Sequence, residues 1–391
     1  MNSYKQQNRL QAVVVLLPYL LCGLVFKPLS VFAKPLVTEP RAAFEPKVLT
    51  MKLSPGSSST GATSKLDQNL NIDSLPVGEA VDLFYRFGFF SLSVRVVPRD
   101  DPGQWLIREP TSKVFQSFAE KVTPTQGSFD NDLKIYLCDD VAELEQAYFT
   151  NFKASGVTAP YKLFTGSWHD TTRAKYFGLS ADMFDGDSSF VLIKLSLDAV
   201  TLSMADQPTL SNDIRQALAS LQNGDENSIG EFIEQHGSHY IETIQVGDAV
   251  YQVLALKKDQ YRSLKSDLQT NSNQQPLGTK RFDELFNAYL APWVTRQSGQ
   301  VQCASGSQRL QSFLDTSLTL KAQFDSYPNI FALQGDDAKQ AELNALSSES
   351  SGAVIGMNFQ GFNDFIENLD TRTFYEEILK TRTLLWESNI A

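Results

Sequence analysis

Apolar and polar residues alternate along several stretches of the chain, which is the pattern of a half-buried β-strand. This alternation predicts strands over residues 87–97 and 133–138. A richly apolar run predicts a buried strand over 189–204, and β-branched and aromatic residues predict a long strand over 240–253. Strands are therefore expected through most of the chain.

Apolar residues at helical spacing separate these strands. They predict helices over 78–85, 140–149 and 213–222, a polar helix after residue 256, and a C-terminal helix with one apolar docking face. Ser228 and Glu231 have the spacing of a capping box, which predicts a helix that starts at Ser228 and ends at Gly237. The mixture of strands and helices predicts an α+β fold without internal repeats.

Two glycines are placed where the chain is expected to change direction. Gly237 follows the predicted helix, where a glycine supplies the left-handed conformation of a helix exit. Gly247 interrupts the long predicted strand, and a glycine inside a strand usually marks a bend or a close backbone approach. The segment from 228 to 256 is therefore predicted to be a helix that turns directly into a bent strand.

This segment resembles the signature of the membrane attack complex/perforin (MACPF) family, which reads aromatic, glycine, threonine or serine, histidine, aromatic, six residues, two glycines. Two positions depart from it, because His236 stands where the family has an aromatic residue and Asp248 replaces the second glycine. The positions that correspond to the signature, with these two departures included, are His236, Gly237, Ser238, His239, Tyr240, Gly247 and Asp248. Their predicted role is structural.

Within that family, segments 77–98, 147–168 and 232–240 are similar to insect torso-like proteins, and the resemblance covers nearly all of residues 76–391. It implies a bent, twisted antiparallel sheet flanked by two helical clusters, with a C-terminal helix. It also implies a non-lytic extracellular signalling factor that acts upstream of a receptor tyrosine kinase in embryonic terminal patterning.

Three regions are expected along the chain. Basic residues, an apolar run and small residues before Ala33 follow one another in the order of a secretory signal peptide, which predicts residues 1–33 as a cleaved leader and a secreted, extracellular protein. A signal anchor is the alternative, but the apolar run contains Pro18 and is shorter than the roughly 20 residues of a spanning helix. Residues 34–75 are rich in Pro, Ser and Gly and predict a flexible arm, and residues 76–391 predict one MACPF-like domain.

The net charge of the chain limits which binding partners are expected. Loss of residues 1–33 removes Lys5, Arg9 and Lys27 and changes the net charge from -11 to -14. An acidic chain is repelled by phosphate backbones and by anionic lipid head groups, so nucleic acid is not an expected partner. The densest basic run, Lys257 and Lys258 with Arg262 and Lys265, is interpreted as a solvated helix face.

The cysteine count depends on the leader. Cys22 lies within it, which leaves Cys138 and Cys303 in the mature chain. An even pair in an oxidising compartment predicts one disulfide, and two buried free thiols are the alternative.

Catalytic motifs are not visible, so no enzyme and no cofactor are predicted. His169, His236 and His239 are the only histidines, and two of them around a helix-ending glycine fall short of a zinc ligand set. Ser238 beside His239 lacks the strand and the second glycine of a nucleophile elbow. No metal ligands and no cofactor-binding residues are therefore assigned.

Three function classes are compared with the sequence: a non-lytic signalling factor, a perforin-like pore-forming or membrane-binding protein of defence, and a secreted enzyme. Pore formation in this family requires helical clusters to become membrane-spanning hairpins, with roughly 9 to 11 alternating residues per strand. The candidate clusters, 150–188 and 257–315, are rich in charges and lack that alternation. The expected partner is an extracellular protein ligand or receptor-pathway component, with eggshell or extracellular matrix as further candidates. Peripheral membrane association and homo-oligomer formation stay open.

Overall fold

The computed structural model describes residues 48–53, 76–84, 112–117, 120–124, 129, 132–166, 168–204, 208–269, 299–322, 325–349 and 352–389. Residues 45–391 form one compact unit. The predicted leader over 1–33 and the predicted strand over 87–97 lie outside the described residues. The fold is that of these described ranges.

The sheet strands include long central ones and short peripheral ones. In chain order they are β1 (Val48–Lys52), β2 (Glu79–Val81), β3 (Ser112–Lys113), β4 (Phe115–Ser117), β5 (Glu120–Pro124), β6 (Asp132–Cys138), β7 (Phe152–Ala154), β8 (Ser188–Met204), β9 (Thr209–Leu210), β10 (His239–Lys257), β11 (Gln302–Cys303), β12 (Thr319–Ala322), β13 (Asp325–Pro328) and β14 (Ala353–Gly361). The predicted strands over 133–138, 189–204 and 240–253 are thereby confirmed as β6, β8 and β10.

The helices are mostly short. They are α1 (Val141–Tyr148), α2 (Lys162–Thr165), α3 (Asp170–Phe177), α4 (Asn212–Ser220), α5 (Glu226–His236), α6 (Lys258–Gln269), α7 (Gln308–Ser317), α8 (Asp337–Ser348) and α9 (Leu369–Asn389), with single 3-10 turns at Ala181–Phe184, Ile330–Leu333 and Asn363–Phe365. The predicted C-terminal helix is α9, and its Tyr375 and Trp386 are buried as a docking face requires.

One mostly antiparallel sheet organises the described chain, and its main path runs β1-β6-β8-β10-β14-β7. The pair β8 and β10 has the longest register, from Thr243 opposite Ser203 to Lys257 opposite Ser188. Only the three-residue pairing of β7 with β14 is parallel among the described strand pairs. The predicted α+β class, with a mostly antiparallel sheet and helices around it, is confirmed.

Both faces of this sheet are covered, which is why its central strands are apolar on both sides. Phe190 and Leu192 of β8 belong to one core cluster, together with α5, α9 and the aromatic side chains near α1 to α3. Val191 and Ile193 belong to the other, together with α6, α7 and the 3-10 turn at Ile330–Leu333. Alternate residues of one strand thus hold two separate cores.

Two insertions in the sheet carry most of the helices. The first helical segment, residues 139–187, connects β6 to β8, and the second helical segment, residues 258–352, connects β10 to β14. The two expected helical clusters are therefore present, although each is longer than the ranges 150–188 and 257–315 that the charge pattern suggested. Among the described residues, no helix is both long enough and apolar enough to cross a membrane.

Two local predictions are wrong. Residues 48–53 were assigned to a flexible arm, yet they form β1, which pairs with β6 and buries Met51 and Leu53. The helix predicted over 78–85 is instead the strand β2, which pairs with the start of β10. In both cases a sheet edge supplies backbone hydrogen-bond partners that lie far away in the sequence, and this outweighs the local preference.

Candidate functional site

The helix before the signature begins earlier than the capping-box spacing indicated. Asp225 is its N-cap, and the Asp225 carboxylate accepts hydrogen bonds from the amides of Asn227 and Ser228. The Ser228 hydroxyl donates to the Asp225 carbonyl at 3.0 Å, so it lies inside the first turn. The predicted N-cap at Ser228 is therefore wrong, because Asp225 caps the helix three residues earlier and its carboxylate binds the free amides of the true first turn.

Gly237 ends α5 as predicted, and its amide donates to the Ile233 carbonyl at 2.8 Å. Its backbone has φ 92° and ψ 161°, so φ is positive but ψ is extended, and the chain leaves the helix directly as a strand. A Cβ at this position would lie 2.9 Å from the backbone N and C of Val81. Glycine is thus required both by the conformation and by the space.

Ser238 and His239 are buried and bonded to each other. The Ser238 Oγ accepts from the Leu83 amide at 2.9 Å and lies 3.0 Å from the His239 Nδ1. The His239 Nε2 lies 2.8 Å from the carbonyl oxygen of Ser155. Because a carbonyl can only accept, Nε2 carries the proton and Nδ1 accepts from the Ser238 hydroxyl.

This arrangement leaves His239 little chemistry to offer a substrate. Burial lowers the pKa of His239 from 6.5 to about 4, so the ring is neutral at neutral pH. Both ring nitrogens are engaged inside the protein, and the ring also packs edge-on against Phe84 at 5.9 Å between centroids. The pair joins three chain segments: the residues after β2, the start of β10, and the loop after β7.

His236 and Tyr240 have other neighbours. The half-buried His236 ring packs on Phe232 at 5.2 Å between centroids, as a flat ring on the apolar face of α5. Tyr240 packs edge-on against Phe115 at 5.1 Å. His236 and His239 therefore contact different parts of the structure, and the described residues contain no group of three His, Cys, Asp or Glu side chains that could hold a metal ion.

Gly247 marks an irregularity of the long strand, as its position in the sequence indicated. The register between β10 and β8 shifts between Val246 and Gly247. A Cβ on Gly247 would lie 1.9 Å from the carbonyl oxygen of Leu197 and 2.9 Å from the Ile355 Cδ1. The backbones of β8 and β10 approach here so closely that no side chain can be placed between them.

Asp248 follows this bulge and holds part of the second helical segment. Its side chain is 1% exposed. The Asp248 Oδ1 accepts from the Ala249 amide at 2.8 Å and from the Ser305 amide at 2.9 Å. The residue that replaces the second glycine of the signature is thus a buried acceptor for the backbone after β11.

Gln252, further along β10 than Asp248, binds the same helical segment. It is fully buried, and its Nε2 donates to the carbonyls of Gly299 and Pro328, both at 2.9 Å. Its Oε1 accepts from the Ile330 amide at 3.0 Å. One side chain therefore satisfies three backbone groups from distant parts of the second helical segment.

Two further polar side chains bind the first helical segment on the opposite face of the sheet. The Lys194 Nζ donates to the Tyr148 carbonyl at 3.2 Å and lies 4.9 Å from the centre of the Tyr148 ring. The Tyr251 hydroxyl donates to the Tyr176 carbonyl at 2.9 Å. We call Lys194, Tyr251, Asp248 and Gln252 the polar ties, since each joins a central strand to the backbone of a helical segment.

Aromatic packing surrounds the ties to the first segment. Phe149 stacks on Phe164 at 5.0 Å, and Tyr148 packs edge-on against Tyr251 at 4.9 Å. Burial raises the pKa of Tyr148 and of Tyr251, so these hydroxyls stay protonated and can act as donors. The first segment is therefore held by aromatic surface and hydrogen bonds together.

An ion pair strengthens the first segment from within. The Arg173 Nε on α3 lies 2.7 Å from an oxygen of Glu145 on α1, and Glu145 is 4% exposed. Burial raises the pKa of Glu145 while Arg173 opposes that shift. A buried carboxylate needs such a partner, so the ion pair determines how the two short helices are arranged.

The predicted disulfide between Cys138 and Cys303 is not present. Both cysteines are free and buried. Cys138 lies opposite Phe190 in the first core cluster, whereas Cys303 lies opposite Val250 in the second. Two thiols on opposite faces of a sheet cannot approach to bonding distance, and the alternative of two buried thiols is the one the structure supports.

Three of the four polar ties were not singled out from the sequence. Lys194 and Gln252 interrupt runs of apolar residues in strands that are covered on both faces. A polar residue in such a run must find a partner, which is the signal that could have identified them. Asp248 was noted only as a departure from the signature.

Residues 100–319, more than half of the 391, match the model of the MAC/Perforin domain. The chain belongs to the MACPF family. It therefore contains a perforin-like domain of a pore-forming or membrane-binding superfamily. No curated protein sequence matches the chain.

Several solved structures are similar to the chain at low sequence identity. GNIP1Aa from Chromobacterium piscinae has a TM-score of 0.42 and 12% identity, over 79% of this chain and 55% of that one. A putative cell invasion protein with a MAC/Perforin domain from Bacteroides thetaiotaomicron has a TM-score of 0.36 and 12% identity, over 86% of this chain and 65% of that one. Pneumolysin has a TM-score of 0.26 and 12% identity, over 81% of this chain and 63% of that one. The chain thus matches between about half and two-thirds of the length of each.

Proposed function

We propose that this MACPF-family protein is a secreted, non-lytic extracellular signalling factor. By its resemblance to insect torso-like proteins, it would act upstream of a receptor tyrosine kinase in embryonic terminal patterning. In this proposal the domain is a binding scaffold and not an enzyme, and it needs no cofactor. The leader-like residues 1–33 support secretion.

The observation that supports a non-lytic role is the set of polar ties. A helical segment can leave the sheet only if Lys194, Tyr251, Asp248 and Gln252 lose their partners in the buried core. Each unpaired buried polar group costs about 1 to 3 kcal/mol, and more for a charged one. Both segments are tied in this way, so release of either one is opposed.

The charges of the first helical segment point in the same direction. Lys153 lies on β7, Asp170 and Lys175 lie on α3, and Asp182 and Asp185 lie at the 3-10 turn that follows. A charged side chain that faces lipid near the middle of a bilayer costs roughly 2 to 4 kcal/mol in a β-barrel. A hairpin built from this segment would carry several of them.

The proposed partner is an extracellular protein, either a ligand or a component of the receptor pathway, with eggshell or extracellular matrix as the place of deposition. A mature charge of -14, obtained from -11 by removal of three basic residues, opposes adsorption to nucleic acid and to anionic lipid. Membrane association would then depend on a protein or matrix partner.

The test is dye release from neutral and from anionic liposomes by the purified secreted protein, with electron microscopy for rings. We expect no release above buffer and no ring-shaped oligomers. Efficient leakage together with rings would refute the non-lytic proposal.

A pore-forming role is the second candidate, and membership of the MACPF family is the observation that favours it. Under this alternative the polar ties would be a barrier that a trigger overcomes. Variants that remove one tie from each segment, Lys194→Met with Asp248→Ala, separate the two candidates. A pore former should become more lytic when the ties are removed, whereas a signalling scaffold should only become less stable.

A further inference from the structure

The last turns of α9 reach the loop that follows β7. A single oxygen of Glu387, Oε1, accepts from the Thr158 amide at 3.2 Å, from the Thr158 hydroxyl at 2.7 Å and from the Ala159 amide at 3.2 Å. These residues are 228 to 229 positions apart in the sequence. A carboxylate that accepts three hydrogen bonds from one short loop determines where that loop lies.

The signature holds the same loop at its other end. The carbonyl of Ser155 accepts from the His239 Nε2 at 2.8 Å, and the Ser155 amide donates to the Phe359 carbonyl at 2.9 Å. The second of these bonds continues the parallel pairing of β7 with β14 by one residue. The loop over residues 155–159 is therefore fixed at one end by the sheet and at the other end by α9.

The helix α9 is itself seated on the signature. The Tyr375 hydroxyl donates to the Ser238 carbonyl at 3.5 Å, and Trp386 packs edge-on against Phe84 at 6.1 Å between centroids. Trp386 is 1% exposed, and the adjacent Glu387 contacts the loop. The path from α9 to the loop thus consists of direct contacts.

We propose that α9 is a conformational clasp, in which Glu387 closes the loop over residues 155–159 and so keeps β7 on β14. Under this proposal the position of the C-terminal helix controls the order of the part of the first helical segment that contains β7 and the loop after it. A protein that binds α9, or a cleavage that removes its last turn, would act on a surface at β7 without changing the sheet. The clasp does not depend on the signalling role proposed above, because it acts within the isolated protein.

Hydrogen exchange of the full mature chain tests the clasp, with Glu387→Ala as the variant and Glu377→Ala as its matched control. Glu377 is exposed on the same helix, so the control has the same change of charge and of helix propensity. We expect the amides of Thr158 and Ala159 to exchange about 10- to 100-fold faster in Glu387→Ala, the factor for loss of a hydrogen bond to a charged group. The control should exchange as the wild type does.

The extent of the change distinguishes a clasp from a general contribution to stability. In the clasp, faster exchange is confined to residues 152–166, and trypsin cleaves more rapidly after Lys153 and Lys162. Unchanged rates in Glu387→Ala would refute the proposal. An equal increase throughout β8 and β10 would refute it too, because the variant would then have weakened the whole fold.

A double-mutant cycle adds a test that does not depend on the size of either effect. Thr158→Val removes the hydroxyl donor of the shortest bond. If the two side chains act through each other, the double variant should change exchange less than the sum of the single variants predicts. Full additivity would mean that Glu387 and Thr158 act independently, and would overturn the clasp.

Discussion

The two helical segments are held on the same sheet by different means. The first, residues 139–187, has helices of 8, 4 and 8 residues and packs through stacked aromatic rings. Among its described residues, the second, residues 258–352, has helices of 12, 10 and 12 residues, and the buried side chains there, such as Leu310, Leu314 and Leu343, are mostly aliphatic. Both are nevertheless tied to the central strands by buried polar side chains.

The difference in helix length and packing indicates which contacts stabilise each helical segment. Isolated helices shorter than about 12 to 15 residues are marginal in water, so the helices of both segments depend on tertiary contacts. The shorter helices of the first segment are also joined by the Glu145–Arg173 ion pair. The longer helices of the second segment have apolar faces of their own, and its polar ties chiefly determine its position. Loss of a tie should thus loosen the first segment and shift the second.

The largest expected effect comes from Gly247, which both segments share through β10. Gly247→Ala places a Cβ 1.9 Å from the Leu197 carbonyl oxygen, a clash between two backbones that cannot relax separately. We expect a loss of more than about 3 kcal/mol and little secreted protein. The measurement is secretion yield together with urea unfolding.

Gly156→Ala is the control for Gly247→Ala. Gly156 has φ +74° and nothing within 4 Å of an added Cβ, so it tests conformational strain without a clash. We expect a cost of about 1 to 2 kcal/mol. Equal losses in both variants would show that the close approach of β8 and β10 is not what makes Gly247 necessary.

The next effect depends on pH and concerns His239, which holds only the first segment. Its pKa falls from 6.5 to about 4 on folding. Between those values the unfolded chain binds more protons, so stability is lost as pH falls from 6.5 to 4, by up to about 3 kcal/mol. His239→Gln should remove this part of the pH dependence while remaining milder than a Gly237 variant at pH 7.

Urea unfolding of wild type and His239→Gln at several pH values between 4 and 7 measures this difference directly. Comparison of the two proteins cancels other titrations, including those of Asp82 and Glu145, whose pKa values burial raises and which act in the opposite direction. Parallel curves for the two proteins would contradict the buried neutral state of His239. Normal secretion with lost signalling activity in the variant would point to a chemical role.

A smaller effect is expected when a single polar tie is removed. It shows whether the two helical segments are held independently. Lys194→Met should speed amide hydrogen exchange near Tyr148, and Asp248→Ala should speed it near Ser305. In each variant the free energy of local opening should fall by about 1 to 3 kcal/mol. Asp248→Asn keeps an acceptor and should be closer to wild type. Effects that spread equally over both segments would show that the ties do not act separately.

The smallest effect concerns the thiols. Because Cys138 and Cys303 are free, a reductant should not change the midpoint of thermal unfolding. Burial raises the pKa of both thiols, that of Cys303 to about 12, so alkylation should be slow until the protein unfolds. A non-reduced peptide that links the two cysteines would refute this.

Several features of this protein follow from local sequence. The alternating and apolar runs determine β6, β8 and β10, since each strand carries its own two-residue pattern. Asp140 and Glu143 identify the start of α1, where the Asp140 side chain accepts from the Glu143 amide at 2.9 Å. The glycines at 237 and 247 mark a helix end and a strand irregularity that the local sequence indicates, although the close contacts that require them come from Val81 and Leu197.

Other features depend on residues that only the folded chain brings together. The strand β1 has no pattern that distinguishes it from an arm until β6 offers its edge. Gln252 requires three backbone groups 47 to 78 residues away, and Glu387 requires a loop 229 residues away. The cysteines satisfy an even count, yet the sheet separates them onto opposite faces. The periodicity of a segment determines which secondary structure it can form. Residues distant in sequence determine which hydrogen-bond partners the segment finds in the folded chain.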